Sequence, residues 1–206
     1  MREEQEAAAE EVTECAPGVL RLQLPITMPG LGHVNCYALE DDEGWAIVDP
    51  GLPGGYAPFN IQNLGGTLFI AYALNDGGDE VHGDGLGIVS AFGTDGSFEG
   101  RVATMGALNA PWGLAWAPDS WGRFAGNLLV GNLGDGRINA YRPTASGWEA
   151  NSHLKLANHH PLVIDGLWGI SFGHGAAANG STSTLFYAAG PDDEAGGAFG
   201  TVTPVP

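Results

Sequence analysis

The chain has 206 residues, of which 44% are hydrophobic and 15% charged, and these values are typical of a globular rather than a disordered protein. It carries 7 Lys+Arg against 24 Asp+Glu, a formal net charge of -17, and it has no apolar run of 18 residues. This composition argues against a nucleic-acid groove, an anionic membrane surface and a transmembrane helix. We therefore expect no nucleic-acid partner and no membrane insertion, and the expected partner is an unidentified small molecule or protein.

Residues 1–14 form an acidic N-terminal segment that contains six glutamates and three consecutive alanines. Glu and Ala favour helix, so the segment is predicted to be helical or disordered. A secretory signal peptide begins with basic residues followed by an apolar stretch, and this segment has neither. As written, the chain is expected to be cytoplasmic.

Residues 15–53 read as a short antiparallel β meander. Strands are predicted at Val19–Leu24, Val34–Leu39 and Trp45–Asp49, and the loop between the first two spans Pro25–Gly32. The last strand is followed by Pro50 and Gly51, which are typical turn residues.

Two stretches of this meander carry a family resemblance. They are Gly32-His33-Val34-Asn35-Cys36-Tyr37 and Ile47-Val48-Asp49-Pro50-Gly51-Leu52. Residues 15–53 resemble the N-terminal strands of metallo-β-lactamase-fold hydrolases, in which Asp49 would support the metal site. The resemblance implies a later His-x-His-x-Asp-His loop, and none of the six histidines stands in that spacing. It therefore predicts a hydrolase relative without the metal-binding motif.

Residues 56–206 contain a repeat of several short strands, seen three times. Phe59 and Trp112 occupy equivalent places 53 positions apart, and Trp112 and Trp168 are 56 positions apart. A period near fifty with several strands per unit indicates a β-propeller. The third repeat stops after three strands. The predicted fold is therefore all-β, an incomplete β-propeller of about three blades preceded by the meander.

The same region resembles an uncharacterised bacterial family of predicted six-bladed β-propellers, some with PEP-CTERM sorting signals. The segments that carry the resemblance are Tyr56–Asn63, Leu108–Ala115, Gly131–Asn139 and Ile164–Trp168. The resemblance implies an exported protein, in contrast to the N-terminal segment, and it implies no biochemical activity.

Propellers close with four to eight blades, so three blades leave open faces and edges. Such surfaces favour aggregation unless they are covered, and we expect self-association through the open blade edges. Three explanations stay open for the chain: a truncated or rearranged reading frame, a designed or evolved fusion, and a half that pairs with a second copy.

Acidic loops follow the second predicted strand of each repeat. Repeat symmetry would place them on one face, where carboxylates could bind Ca²⁺ through hard oxygen ligands. Asp beside Gly is also ordinary turn chemistry, which is the competing interpretation. The candidate calcium ligands are Asp76, Asp79, Asp84, Asp135, Asp192 and Asp193.

No residue set qualifies as catalytic or cofactor-binding. The sequence has no nucleophile elbow, and its Gly-rich stretches lack the Lys and following helix of a phosphate loop. Phe59, Trp112 and Trp168 are predicted to be core residues that fill the wedge between neighbouring sheets. The sequence thus predicts a non-enzymatic propeller-like protein of unknown ligand. The alternatives are a metallo-β-lactamase-fold hydrolase relative and a calcium-binding surface module.

Overall fold

The computed structural model describes residues 52–204 except Gly78, Ala178 and Asp193, together with the backbone of four strands between residues 13 and 45. The chain divides into two compact units. One comprises Met1–Pro53 and Asn75–Asp79, and the other comprises Gly54–Leu74 and Glu80–Pro206. The described strands confirm the predicted all-β fold.

The N-terminal strands form one antiparallel sheet in the order β1-β2-β3-β4. Their bounds are Thr13–Ala16 (β1), Val19–Met28 (β2), Leu31–Asp41 (β3) and Gly44–Trp45 (β4). The predicted loop from Pro25 to Gly32 is wrong, because β2 runs through Pro25 and the register shifts between Pro25 and Met28. Such an irregularity lets a strand accommodate a proline, which cannot donate a ladder hydrogen bond. The predictions for residues 1–12 and for Asp49 fall outside the described residues.

Sheet I is the first of three sheets that follow one another in the second unit. Its strands are Tyr56–Leu64 (β5), Thr67–Leu74 (β6), Gly87–Gly93 (β7) and Phe98–Thr104 (β8), paired in sequence order and antiparallel. Leu64 pairs with Thr67, so Gly65 and Gly66 form a two-residue hairpin loop. Both glycines have positive φ, 68° and 94°, as expected for the turn type whose twist matches that of a hairpin.

Sheet II repeats the same order. Its strands are Pro111–Trp116 (β9), Leu128–Asn132 (β10), Ile138–Thr144 (β11) and Gly147–His153 (β12). A 3₁₀ helix over Asp119–Phe124, which the sequence patterns do not predict, connects β9 to β10. Its Trp121 is buried, and the indole Nε1 donates a hydrogen bond to the carbonyl oxygen of Ser183 at 2.8 Å.

Sheet III has three antiparallel strands, as the third repeat predicts. They are Leu167–Phe172 (β13), Leu185–Ala189 (β14) and Ala198–Val202 (β15), in the order β13-β14-β15.

The core of this unit lies between the sheets. Successive residues of a strand point to opposite faces, and β10 uses both faces. Leu128 belongs to the cluster between sheets I and II, with Phe69 and Val89, whereas Leu129 belongs to the cluster between sheets II and III. Sheet II is therefore packed on both sides. Full burial of each such side chain contributes about 1.5–3 kcal/mol.

Candidate binding cleft between two sheets

The predicted acidic residues lie in equivalent connections of the three sheets. Asp84 precedes β7, Asp135 precedes β11, and Asp192 precedes β15. Asp84 and Asp192 are exposed, and Asp135 is half-buried. Asp193, the sixth candidate, falls outside the described residues.

Asp135 is held inside its own turn. Its Oδ1 accepts hydrogen bonds from the Asn132 Nδ2 at 3.0 Å and from the Arg137 backbone N–H at 3.1 Å. The Asn132 Nδ2 also donates to the carbonyl oxygen of Ala107 at 2.8 Å, and Asn132 is fully buried. These contacts are those of an acidic side chain that organises a turn.

Asp76 and Asp79 share another turn. The Asp79 N–H donates to the Asp76 Oδ1 at 3.4 Å, and the Asp76 N–H donates to the Asp79 carbonyl oxygen at 3.3 Å. In the part of the chain that the structure describes, no three His, Cys, Asp or Glu side chains are grouped so that they could hold a metal ion. Calcium binding by these loops stays a prediction.

The described histidines form no arrangement of nucleophile and base. His82 Nε2 lies 3.1 Å from the Glu80 Oε1. His153 is half-buried, and burial, followed by the nearby Lys155 and Arg137, lowers its pKa below the usual value. A lowered pKa keeps the imidazole neutral, which suits a packed side chain.

The three repeat-equivalent aromatic residues contact one another along the first strands of the three sheets. Phe59 and Trp112 have ring centroids 4.6 Å apart with an interplanar angle of 89°, and Trp112 and Trp168 are also 4.6 Å apart, at 85°. The Asn60 Nδ2 adds a hydrogen bond to the Trp112 carbonyl oxygen at 2.7 Å. All three rings are half-buried, and Phe59 and Trp168 pack against a buried cluster of the core, so the predicted core role is confirmed in part. Edge-to-face pairs of this kind stabilise the fold by about 0.5–1.5 kcal/mol each beyond their buried area.

A cleft of about 710 Å³ opens between sheets I and II. We call it the aromatic cleft, and the side chains that define it are Leu64, Thr67, Phe69, Glu99, Trp116, Thr144 and Trp148.

Three aromatic rings line the aromatic cleft. Trp116 and Trp148 are 6.2 Å apart between centroids with an interplanar angle of 83°, and the buried Phe69 ring lies 5.7 Å from Trp148. Trp116 is 39% exposed and lines the cleft. The cleft therefore offers part of an indole ring to a ligand.

Polar side chains also line the cleft. The Thr67 Oγ1 donates to the Glu99 Oε2 at 3.3 Å, and the Thr144 Oγ1 donates to the Gly147 carbonyl oxygen at 3.1 Å. The residues that line the cleft include no Lys, Arg, His or Cys. A concave surface that combines aromatic rings with polar side chains is typical of a small-molecule site.

The sequence patterns do not predict this cleft. Trp116 ends the first strand of sheet II and Trp148 begins the fourth, so the antiparallel order brings both to one end of the sheet. The sequence signal that could have predicted the cleft is that this repeat has one aromatic residue at the end of its first strand and another near the start of its fourth strand.

No protein-family model matches the chain. Three uncharacterised proteins of Acanthamoeba polyphaga mimivirus are each 36% identical to it, over 169, 157 and 134 residues. These matches cover 81%, 75% and 64% of this chain but 42%, 37% and 24% of the relatives. The chain thus spans less than half the length of the viral proteins it matches. Within the described residues, no helix has the length and apolar character that spanning a bilayer requires.

Proposed function

We propose that this chain is a non-enzymatic binding protein with a propeller-like frame, and that a neutral ligand bearing hydroxyl groups occupies the aromatic cleft. The carrying observation is the partly exposed Trp116 beside Trp148, in a cleft that polar side chains also line.

The propeller-like arrangement in this proposal is supported by the contacts between the three sheets. Each sheet is a meander in sequence order, and β9 contacts both β5 and β13, the first strands of the neighbouring sheets. The fourth strands β8 and β12 also contact each other. Neighbouring propeller blades would place first strands together on one side and fourth strands together on the other, and these contacts support the proposal in that way.

The class of ligand follows from the chemistry of the cleft. An exposed indole ring attracts a flat apolar surface, and the Glu99 carboxylate accepts hydrogen bonds from hydroxyl groups. The cleft walls carry no cation, and the chain has a net charge of -17, so an anionic ligand is disfavoured. A neutral saccharide combines an apolar ring face with hydroxyl donors and fits both features.

A titration with neutral oligosaccharides tests the proposal. Linear oligomers of glucose, xylose and N-acetylglucosamine would be titrated against the full chain by calorimetry and tryptophan fluorescence. We expect at least one series to bind, and Trp116→Ala to weaken binding about tenfold, equivalent to ~1.4 kcal/mol.

The matched control is Met105→Ala, which trims an exposed apolar side chain that does not line the cleft. This variant should bind like the wild type. The ligand proposal is overturned if none of the three series binds, or if Trp116→Ala binds as tightly as the control.

A further inference from the structure

The outward face of sheet III differs from the corresponding faces of sheets I and II. Cross-strand pairs identify equivalent positions: Val89 opposite Ala71 in sheet I, Ile138 opposite Gly131 in sheet II, and Phe199 opposite Ala188 in sheet III. Val89 and Ile138 are 0% exposed, because the next sheet covers each of them. Phe199 is 76% exposed.

The residues next to Phe199 on this face carry no charge. Phe186 stacks on the Phe199 ring at a centroid distance of 5.8 Å and an interplanar angle of 20°. Cross-strand pairing places Ser171 and Thr201 opposite Phe186, on the same face. We call this surface, made of Ser171, Phe186, Ala188, Phe199 and Thr201, the open face. All of these residues except Thr201 also line a hollow of about 370 Å³, together with Asn60 and Trp112.

The two equivalent faces indicate what kind of partner the open face takes. Each of them is covered by another sheet of the same repeat, so a sheet is the fitting occupant here. A second copy of the chain brings such sheets, but the far side of its sheet I is already buried: Ile70 is 4% exposed and Ile88 is 1% exposed. Of the outward faces of the second copy that the structure describes, its own open face is then the one that remains uncovered.

We propose that two copies of this chain associate by packing their open faces against each other about a twofold axis. A twofold contact uses the same patch on both subunits and needs a self-complementary surface. A net charge of -17 opposes association through most of the surface, and repulsion is weakest where the surface is uncharged. The proposal rests on the packing of the three sheets and is independent of the saccharide ligand.

Analytical ultracentrifugation of the full chain tests the proposal. At concentrations on the order of 100 µM the wild type should sediment as a dimer, with a Kd in the micromolar range or below. The dimer would have twice the chain mass of 21.3 kDa. Phe199→Asp places a charge in the contact and should give a monomer of unchanged thermal stability.

The matched control is Phe98→Asp, the same substitution at a 53% exposed position of sheet I, which should stay dimeric. With Cys15 and Cys36 replaced by Ser, Phe199→Cys should form a covalent dimer under mild oxidation, whereas Phe98→Cys should not. A dimer that persists in Phe199→Asp contradicts the proposal. A wild-type monomer also overturns it, and would favour a further sheet of a longer polypeptide as the occupant.

Discussion

Gly136 shows how a single residue fixes the path of the chain between two repeats. Its φ is 67°, and a side chain added there would collide with the backbone of Ile164, whose carbonyl oxygen is the nearest atom. The two residues are joined by a hydrogen bond from the Ile164 N–H to the Gly136 carbonyl oxygen, at 2.9 Å. The approach of the connection into sheet III therefore depends on the absence of a side chain.

Two glycines with the same φ distinguish the free-energy cost of backbone strain from the cost of the close contact between Gly136 and Ile164. Gly126 also has a φ of 67°, but nothing lies within 4 Å of a side chain added there. Gly126→Ala should cost about 1 kcal/mol of unfolding free energy, the cost of a left-handed alanine. Gly136→Ala should cost that amount and at least about 2 kcal/mol more, because the Ile164 backbone must move.

Urea unfolding followed by circular dichroism measures both values. Equal losses in the two variants would show that the contact between Gly136 and Ile164 does not form.

At the scale of the element, β10 is the strand on which the stacking of the sheets depends. Leu128 and Leu129 are neighbours in sequence, both 0% exposed, and they enter the clusters on opposite sides of sheet II. Leu128→Ala and Leu129→Ala should therefore each lower the unfolding free energy, by about 2–5 kcal/mol, because each leaves a cavity between two sheets.

Leu156→Ala is the control for this pair, since Leu156 is 47% exposed and its loss should change stability by no more than about 0.5 kcal/mol. Denaturant titration at equal protein concentration compares the three variants. If Leu129→Ala matched the control, sheet III would not pack on sheet II as described.

The strands were predictable from sequence where local signals and the repeat agree. The short apolar run Leu68–Leu74 and the turn residues Gly65 and Gly66 before it mark β6, and the later repeats have strands in the same order. The 3₁₀ helix over Asp119–Phe124 escaped prediction, because it depends on Trp121 reaching a carbonyl oxygen of a distant loop.

The aromatic cleft escaped prediction for a related reason. Trp116 and Trp148 are far apart in sequence, and only the pairing of four strands brings their rings within 6.2 Å.

The acidic loops were predictable as equivalent connections. Their side-chain contacts were not, because the Asn132 amide that binds Asp135 is oriented by Ala107, in the connection from sheet I.

At the scale of the whole unit, residues 56–202 form three sheets in sequence order, with sheet II between its two neighbours. Two consequences follow from this stacking. A cleft lies between sheets I and II, where we propose that a saccharide binds. The open face, which carries Phe186 and Phe199, lies on the outward side of sheet III, where we propose that a second copy binds.

The contact between Phe59, Trp112 and Trp168 is the most direct test of the stacking, because each ring belongs to a different sheet. Nuclear Overhauser spectroscopy on the full chain, with labelled Trp and Phe, should show cross-peaks from Trp112 to both Phe59 and Trp168, whose centroids lie 4.6 Å away. Trp121 and Phe172, 4.9 Å apart, provide the reference signal. A spectrum with the reference cross-peak but neither Trp112 cross-peak would contradict the side-by-side arrangement of the three repeats.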